Sequence, residues 1–219
     1  KYKEFIENHY HIDFENYNDL HRWSIDNNAF FWESIVHFFE IDFSGTYETV
    51  IKENFETHDF IGTTWFDGIN LSYAEHIFKQ ASKDRPALKY ANEHSHCIEI
   101  SWEELQNKVS SIQQFLLTKK ITKGDRICGV LNNTIDTIAV FLAVNSLGAI
   151  WSCCSPDFGD KSIADRFIQI QPKILFIEQE YQYNNKVFSK TRTLAYLQDN
   201  IPSIKAAIAV NSTQWNAIF

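Results

Sequence analysis

The sequence predicts an α/β fold in which parallel strand–helix repeats follow a mainly helical N-terminal extension, and three observations carry that expectation. From residue 85 onward, short apolar runs alternate with amphipathic stretches of helical period. The apolar runs are nearly continuous, as in parallel strands covered on both faces, rather than alternating as in a half-exposed antiparallel sheet. Helix stops and starts fall between them: Ser101-x-x-Glu104 has the form of a capping box, Gly148 is a C-terminal stop, and Pro172 ends a helix. We therefore expect a helical extension over 1–84 and the first part of a large α/β domain over 85–219.

In chain order, Asn28 is the expected N-cap of the aromatic stretch Ala29 to Phe39. Phe31, Ile35, Phe38 and Phe39 share one face of that helix, read as a packed core face rather than a partner-binding stripe. Ala87 to Ala91 and Cys97 to Ile100 read as two short strands around a polar turn. Behind Ser101, the apolar series Leu105, Val109, Ile112 and Leu116 gives an amphipathic helix ending near Lys119-Lys120, where lysines suit the helix dipole. A turn at Lys123-Gly124-Asp125 leads into a buried-type strand, Arg126 to Leu131. Ile135 to Leu147 is a helix apolar almost all round and so covered on several sides. The series continues with a strand from Ile150 to Cys154, a helix from Asp160 to Gln171 and a strand from Lys173 to Ile177. A helix from Arg192 to Asn200 and a strand from Ala206 to Val210 complete it.

Composition narrows the function. The chain has 219 residues, 44% hydrophobic and 22% charged, which suits a globular protein with a substantial core. Lys plus Arg number 20 against 28 Asp plus Glu, a formal charge of −8, so no basic face for nucleic acid is expected. The longest apolar run, Ile138 to Val144, has seven residues, far short of the roughly 20 that span a bilayer. No secretory leader pattern opens the sequence. Cys97, Cys128, Cys153 and Cys154 read as reduced thiols of a cytoplasmic protein.

Several motifs hold the residue types of a site without the surroundings a site needs. His94-x-His96-Cys97 lies beside an expected hairpin turn without a second ligand pair, and His9-x-His11 is near a terminus, so no metal site is expected. Cys153-Cys154 has no base placed near it and reads as small buried strand residues. Gly62-Thr63-Thr64 lacks the flanking glycines and following Lys of a phosphate loop, and neither G-x-G-x-x-G nor a Walker-type loop occurs anywhere. The loop Ser155-Pro156-Asp157-Phe158-Gly159 follows a strand and precedes a helix, the rim where open parallel sheets bind ligands. Two readings of it stand side by side. Free N–H groups there invite an anion, whereas Asp157 and Asp160 bring negative charge, with Asp160 a simple N-cap.

The run Gly124-Asp125-Arg126-Ile127, Asn133, Leu147 to Ser152 and Ser155 to Gly159 resembles the N-terminal domain of adenylate-forming acyl-CoA synthetases. Thr64-Trp65-Phe66, Asn70 to Glu75 and Ser101 to Leu105 add to that resemblance. Ile150-Trp151-Ser152 with Ser155 to Gly159, Asp165-Arg166-Phe167 and Gln171-Pro172-Lys173 is most similar to the acetoacetate-activating branch. The resemblance implies a two-step ligase for acetoacetate, with acetyl- or propionyl-CoA synthetases, or a non-catalytic binding module, as the alternatives. ATP and Mg²⁺ would form an acyl-adenylate and pyrophosphate, and the CoA thiolate would then displace AMP. It also implies CoA contacts at Ser155, Pro156, Asp157 and Phe158, and at Lys186 in Tyr183-Asn184-Asn185-Lys186. Lys186 reads either as a point charge for a CoA phosphate or as a solvated turn lysine. Arg166 reads as a structural anchor for its helix.

No catalytic residue is expected within these 219 residues. By the resemblance, the phosphate loop, the adenine-binding strands and the mobile domain with its catalytic Lys lie downstream, in a protein roughly three times as long. The start at Lys1, the absence of Met, only 7 glycines and the end at Ala217-Ile218-Phe219 agree with an N-terminal portion. Such a portion is expected to be inactive alone. It is also expected to expose an apolar face where the remainder docks, and so to self-associate.

Overall fold

A computed structural model describes residues 1–52, 62–93, 97–212 and 215–216. The chain divides into two compact units, 1–72 and 73–219. His94 and His96, and the terminal Ala217 to Phe219, lie outside the described residues.

The described residues of the first unit form three helices and two short ladders. Helices α1 (Tyr2–Tyr10), α2 (Tyr17–Asp26) and α3 (Asn28–Phe38) are followed by strands β1 (Ser44–Gly45), β2 (Ile51–Lys52), β3 (Thr64–Trp65) and β4 (Ile69–Asn70). β1 pairs with β4 and β2 with β3, both antiparallel. Asn16 caps α2 in a full capping box with Asp19. Asn28 does not cap α3: it already lies in the first turn, and Asn27 occupies the cap position without a side-chain bond. The chain reaches α3 after only one residue beyond α2, which leaves no extended residue at 28. The aromatic face of α3 packs partly as expected. Tyr2 meets Phe31 and Phe38 edge-on at 6.4 and 5.1 Å, and Phe5 meets Phe38 at 5.4 Å. Phe39, just past the helix end, is 54% exposed, and the one fully buried side chain of α3 is polar. That residue is Ser34, whose hydroxyl lies 2.8 Å from the Tyr2 hydroxyl and donates to the Phe31 carbonyl at 2.6 Å.

In the second unit, α4 (Tyr73–Lys79) and the hairpin of β5 (Leu88–Tyr90) with β6 (Ile98–Ile100) precede α5 (Trp102–Thr118). Ser101 and Glu104 form the expected capping box, and Leu105, Val109, Ile112 and Leu116 are the buried face of α5. Lys119 is the C-cap, so both lysines lie just past the last turn.

Then come β7 (Arg126–Val130), α6 (Ile135–Ser146), β8 (Ile150–Cys154), α7 (Asp160–Ile170) and β9 (Ile174–Glu178). After the hairpin of β10 (Glu180–Tyr183) and β11 (Lys186–Ser189), α8 (Thr191–Asn200) and β12 (Ala206–Val210) close the described chain. The four long strands form one parallel sheet in the order β12-β9-β7-β8. Ile127, Ile174, Phe176 and Ile208 join α5 and α6 in one core, while Cys128, Val130, Leu175 and Ile177 join α7 and α8 in the other. β9 is buried at every residue, as a central strand covered on both faces must be.

β8 departs from the expectation of a buried strand. It is the sheet edge, leaving Ile150 51% exposed and Cys153 exposed while Cys154 is buried. The β10–β11 hairpin was not foreseen. Its two-residue turn, Asn184-Asn185, has both φ angles positive, 49° and 58°, the geometry that matches strand twist and that Asn tolerates. Gly129 matters for a different reason, since a Cβ there would stand 2.6 Å from the Trp151 ring on the neighbouring strand. Gly129→Val is expected to destabilise the protein by about 1–3 kcal/mol through overpacking, read from the urea midpoint; an unchanged midpoint would refute the close fit.

Candidate functional site at the carboxyl rim of the sheet

All four parallel strands end at one rim, at Val130, Cys154, Glu178 and Val210. Ligands of open parallel sheets bind outside these ends. The loop after β8 turns tightly there, the Phe158 amide donating to the Ser155 carbonyl at 3.3 Å. Pro156 is buried, whereas Ser155, Asp157 and Phe158 are exposed. Gly159 is the N-cap of α7 and makes no side-chain cap bond. Asp160 is therefore not the cap; it is the first helical residue, and its carboxylate accepts the Thr193 hydroxyl at 2.7 Å, tying α7 to α8. Arg166 lies over the Phe158 ring, 4.7 Å from its centre, and donates to the Ser162 carbonyl. This is the anchoring role expected of Arg166, and it holds one edge of the loop by cation–π attraction.

The hairpin borders the same rim. Tyr181 stacks on Phe188 at 5.2 Å, and the Lys190 ammonium stands 5.6 Å from the Tyr181 ring centre. Burial pushes the Tyr181 hydroxyl pKa up, and the charge of Asp157 adds to it, which brings the loop and the hairpin within electrostatic reach of one another. Lys186 is exposed beside the turn, opposite Tyr183, itself 66% exposed. Among the described residues the Lys186 side chain makes no ion pair or hydrogen bond, so the four loop residues share one turn and Lys186 stands apart on the hairpin.

Glu178 is the rim residue that sequence reasoning missed. It ends β9 and is only 4% exposed, accepting the Asn132 amide at 3.2 Å. Burial raises its carboxyl pKa from an ordinary 4.5 to about 7; the Asn132 hydrogen bond opposes the rise and the nearby Asp136 carboxylate adds to it. The available signal was an acid closing the otherwise apolar run Ile174 to Ile177. A cavity of about 330 Å³ beside it is lined by Glu178, Gln179, Lys190, Thr191, Leu194 and Ser212 among others.

Other motif residues serve the opposite rim. Asp125 pairs with Lys173 at 2.6 Å and accepts the Thr122 amide, and these contacts hold its pKa down. Arg126 donates to the Ile170 carbonyl at 2.8 Å at the end of α7. Burial raises the Cys128 and Cys154 thiols, which keeps them protonated rather than nucleophilic. Among the described residues no group of three or more His, Cys, Asp and Glu could hold a metal ion, and no helix is long and apolar enough to cross a membrane.

A family model described as AMP-binding enzyme matches residues 75–216, nearly the whole second unit. The chain belongs to the AMP-binding enzyme family. Within that family it is similar to the acetoacetyl-CoA synthetase of Macaca fascicularis, 36% identical over 197 residues that cover 90% of this chain and 29% of the relative. The acetoacetyl-coenzyme A synthetase of Rhizobium meliloti is 35% identical over 186 residues, covering 83% of this chain and 28% of its own length. Among solved structures, acetoacetyl-CoA synthetase from Streptomyces lividans superposes with a TM-score of 0.88 at 30% identity, covering 99% of this chain and 35% of that one. This AMP-binding family chain thus spans about 30% of the length of the curated relatives it matches.

The buried carboxyl has a consequence for stability. In the unfolded chain Glu178 ionises above its ordinary pKa of 4.5, while the folded state holds the proton up to about 7. The folded state therefore binds more protons in that window, and stability falls as pH rises through it and levels off above. Asp125, held low, acts only at more acid pH. Glu178→Gln keeps the acceptor for Asn132 without the ionisable group. It is expected to be more stable than wild type by up to about 3 kcal/mol near pH 8 and similar near pH 4, read from urea midpoints. Equal pH dependence in both proteins would refute the assignment.

Proposed function

We propose that this chain is part of an ATP-dependent acetoacetate–CoA ligase. In the complete protein, acetoacetate attacks ATP to give acetoacetyl-adenylate and pyrophosphate. The CoA thiolate then displaces AMP, yielding acetoacetyl-CoA. The observation that carries this reading is the agreement between sequence and fold: relatives named acetoacetyl-CoA synthetase match most of the chain, and a structure of that name superposes along nearly all of it.

Activation as an adenylate replaces hydroxide, a poor leaving group, by AMP. The charge on the triphosphate must be gripped while this occurs, a task for Mg²⁺ and a glycine-rich backbone cradle. The 219 residues contain no such cradle in sequence, so this chain supplies the carrier-thiol side of the reaction. Ser155, Pro156, Asp157 and Phe158 form one wall for CoA, and Lys186 offers a point charge to a CoA phosphate. The exposure of Lys186, its side chain's lack of a partner among the described residues and its place on the β10–β11 hairpin support this role. Free cysteines support a cytoplasmic setting for the complete protein.

Two measurements test the reading. AMP release by the complete protein should be fastest with acetoacetate among acetoacetate, acetate and propionate, while this chain alone should release none. A preference for acetate or propionate would reject the substrate. Turnover by this chain alone would reject the division of labour. Calorimetric titration of CoA into this chain should show binding that Lys186→Ala weakens roughly five- to tenfold, the scale of one charge-assisted contact of about 1 kcal/mol. Equal affinity in both would remove Lys186 from the site.

A further inference from the structure

Helix α8 opens on a lysine rather than on a side chain with an oxygen to accept its first-turn amides. Lys190 is the N-cap, and no side-chain cap bond forms. The Ser189 hydroxyl takes the Thr191 amide at 3.4 Å, whereas the amides of Arg192 and Thr193 find no acceptor among the described residues. Asp160 reaches this turn from α7, but accepts the Thr193 hydroxyl instead of an amide. No acid occupies the first turn itself. The positive end of α8 is thus left for a group outside the helix to meet.

The cap lysine brings a charge to the same place. Its amide donates to the Gln179 carbonyl at 2.8 Å and its carbonyl accepts the Leu194 amide at 2.9 Å, which fixes Lys190 between the base of the hairpin and α8. Lys190 is only 9% exposed. Its ammonium stands 5.6 Å from the centre of the Tyr181 ring and makes no ion pair or hydrogen bond among the described residues. A ring face replaces little of the hydration that a buried ammonium loses, so this cation lacks a partner. Lys190 also lines the cavity of about 330 Å³ that Glu178, Gln179 and Thr191 share. One Glu178 oxygen accepts the Asn132 amide. The carboxyl keeps its proton up to about 7, so below that pH it presents a hydroxyl to the cavity instead of a negative charge.

From this geometry we infer that the cavity at the start of α8 is an oxyanion site, in which the buried Lys190 ammonium and the uncapped amides of Arg192 and Thr193 hold a phosphate or carboxylate group. The group supplies what the sequence leaves out: an acceptor for two amides and a counter-charge for a buried cation. The cavity has the volume of about eleven waters at roughly 30 Å³ each, enough for an anionic head and a short body. Ile177, Leu194 and Ala209 meet that body with apolar surface. The site stands apart from the proposed CoA wall. Neither Lys186 nor Ser155 to Phe158 is among its described lining residues, so it does not depend on the ligase reading.

Amide chemical shifts of this chain, followed while sodium phosphate or sodium acetate is added at about pH 6 and constant ionic strength, test the site. At least one anion should move the Arg192 and Thr193 amides along a saturating curve. Tighter binding of phosphate marks a phosphate group as the natural occupant, and tighter binding of acetate marks a carboxylate. Lys190→Met keeps the apolar stem and removes the charge, and should weaken that binding at least about tenfold. Lys119→Met, an exposed lysine after α5 on the other face of the sheet, should change it by less than about twofold. Three outcomes would overturn the inference: no saturable shift with either anion, equal affinity in Lys190→Met, or shifts centred on residues 155–158 and Lys186. Should Lys190→Met fail to fold, the wild-type shifts decide. Largest changes at Arg192 and Thr193 support the site, and changes spread evenly over exposed lysines overturn it.

Discussion

The whole second unit rests on the burial of β9. A strand apolar at Ile174, Leu175, Phe176 and Ile177 has to be covered on both sides, and a parallel neighbour on each edge is the arrangement that leaves no ladder group unpaired. Once β7 and β12 flank it, the helices must divide between the faces, α5 and α6 on one and α7 and α8 on the other. That division forces the change of side between β7 and β9. Every rim feature follows from it: the loop after β8, the hairpin after β9 and the acid that ends β9 converge because parallel strands all finish at the same edge.

The two rims of the sheet do different work. At the amino-terminal rim, Asp125 with Lys173 and Arg126 with the carbonyl end of α7 join strands to the helix ends beside them, using charges that are mostly engaged. At the carboxyl rim the polar groups are less committed. Lys186 is solvated, Asp157 acts on Tyr181 only through its charge, and Glu178 is sealed in by a single backbone bond. Charged groups are thus mostly paired at the first rim and less committed at the second, the side on which open parallel sheets bind ligands.

Much of the fold was legible because the signals are local. The capping box at Ser101 and Glu104, the stripe Leu105 to Leu116 and the bounds of β8 and β12 each depend on residues close in the chain. The loop Ser155 to Phe158 was also visible, since a strand followed by Pro, Asp and Gly before a helical pattern marks a rim turn. Three features read less well. Asn28 looked like a cap because its residue type suits one, yet the short link between α2 and α3 moved the cap to Asn27. The Asn-Asn hairpin turn was overlooked because β10 and β11 alternate weakly and lie at the surface. Cys153 was read as buried because its neighbours are apolar, but sheet order made β8 an edge.

The sequence by itself determined the α/β class, the succession of strands and helices and the likeness to acyl-CoA synthetases, since period, caps and motif spacing are properties of neighbours along the chain. Strand order was decided only by the tertiary structure, and with it which strand is central, which is the edge and which acid is trapped. Glu178 looks like any strand-end glutamate until Asn132 and Asp136 arrive from more than forty residues away. The cost of desolvating it exists only once those segments have closed around it.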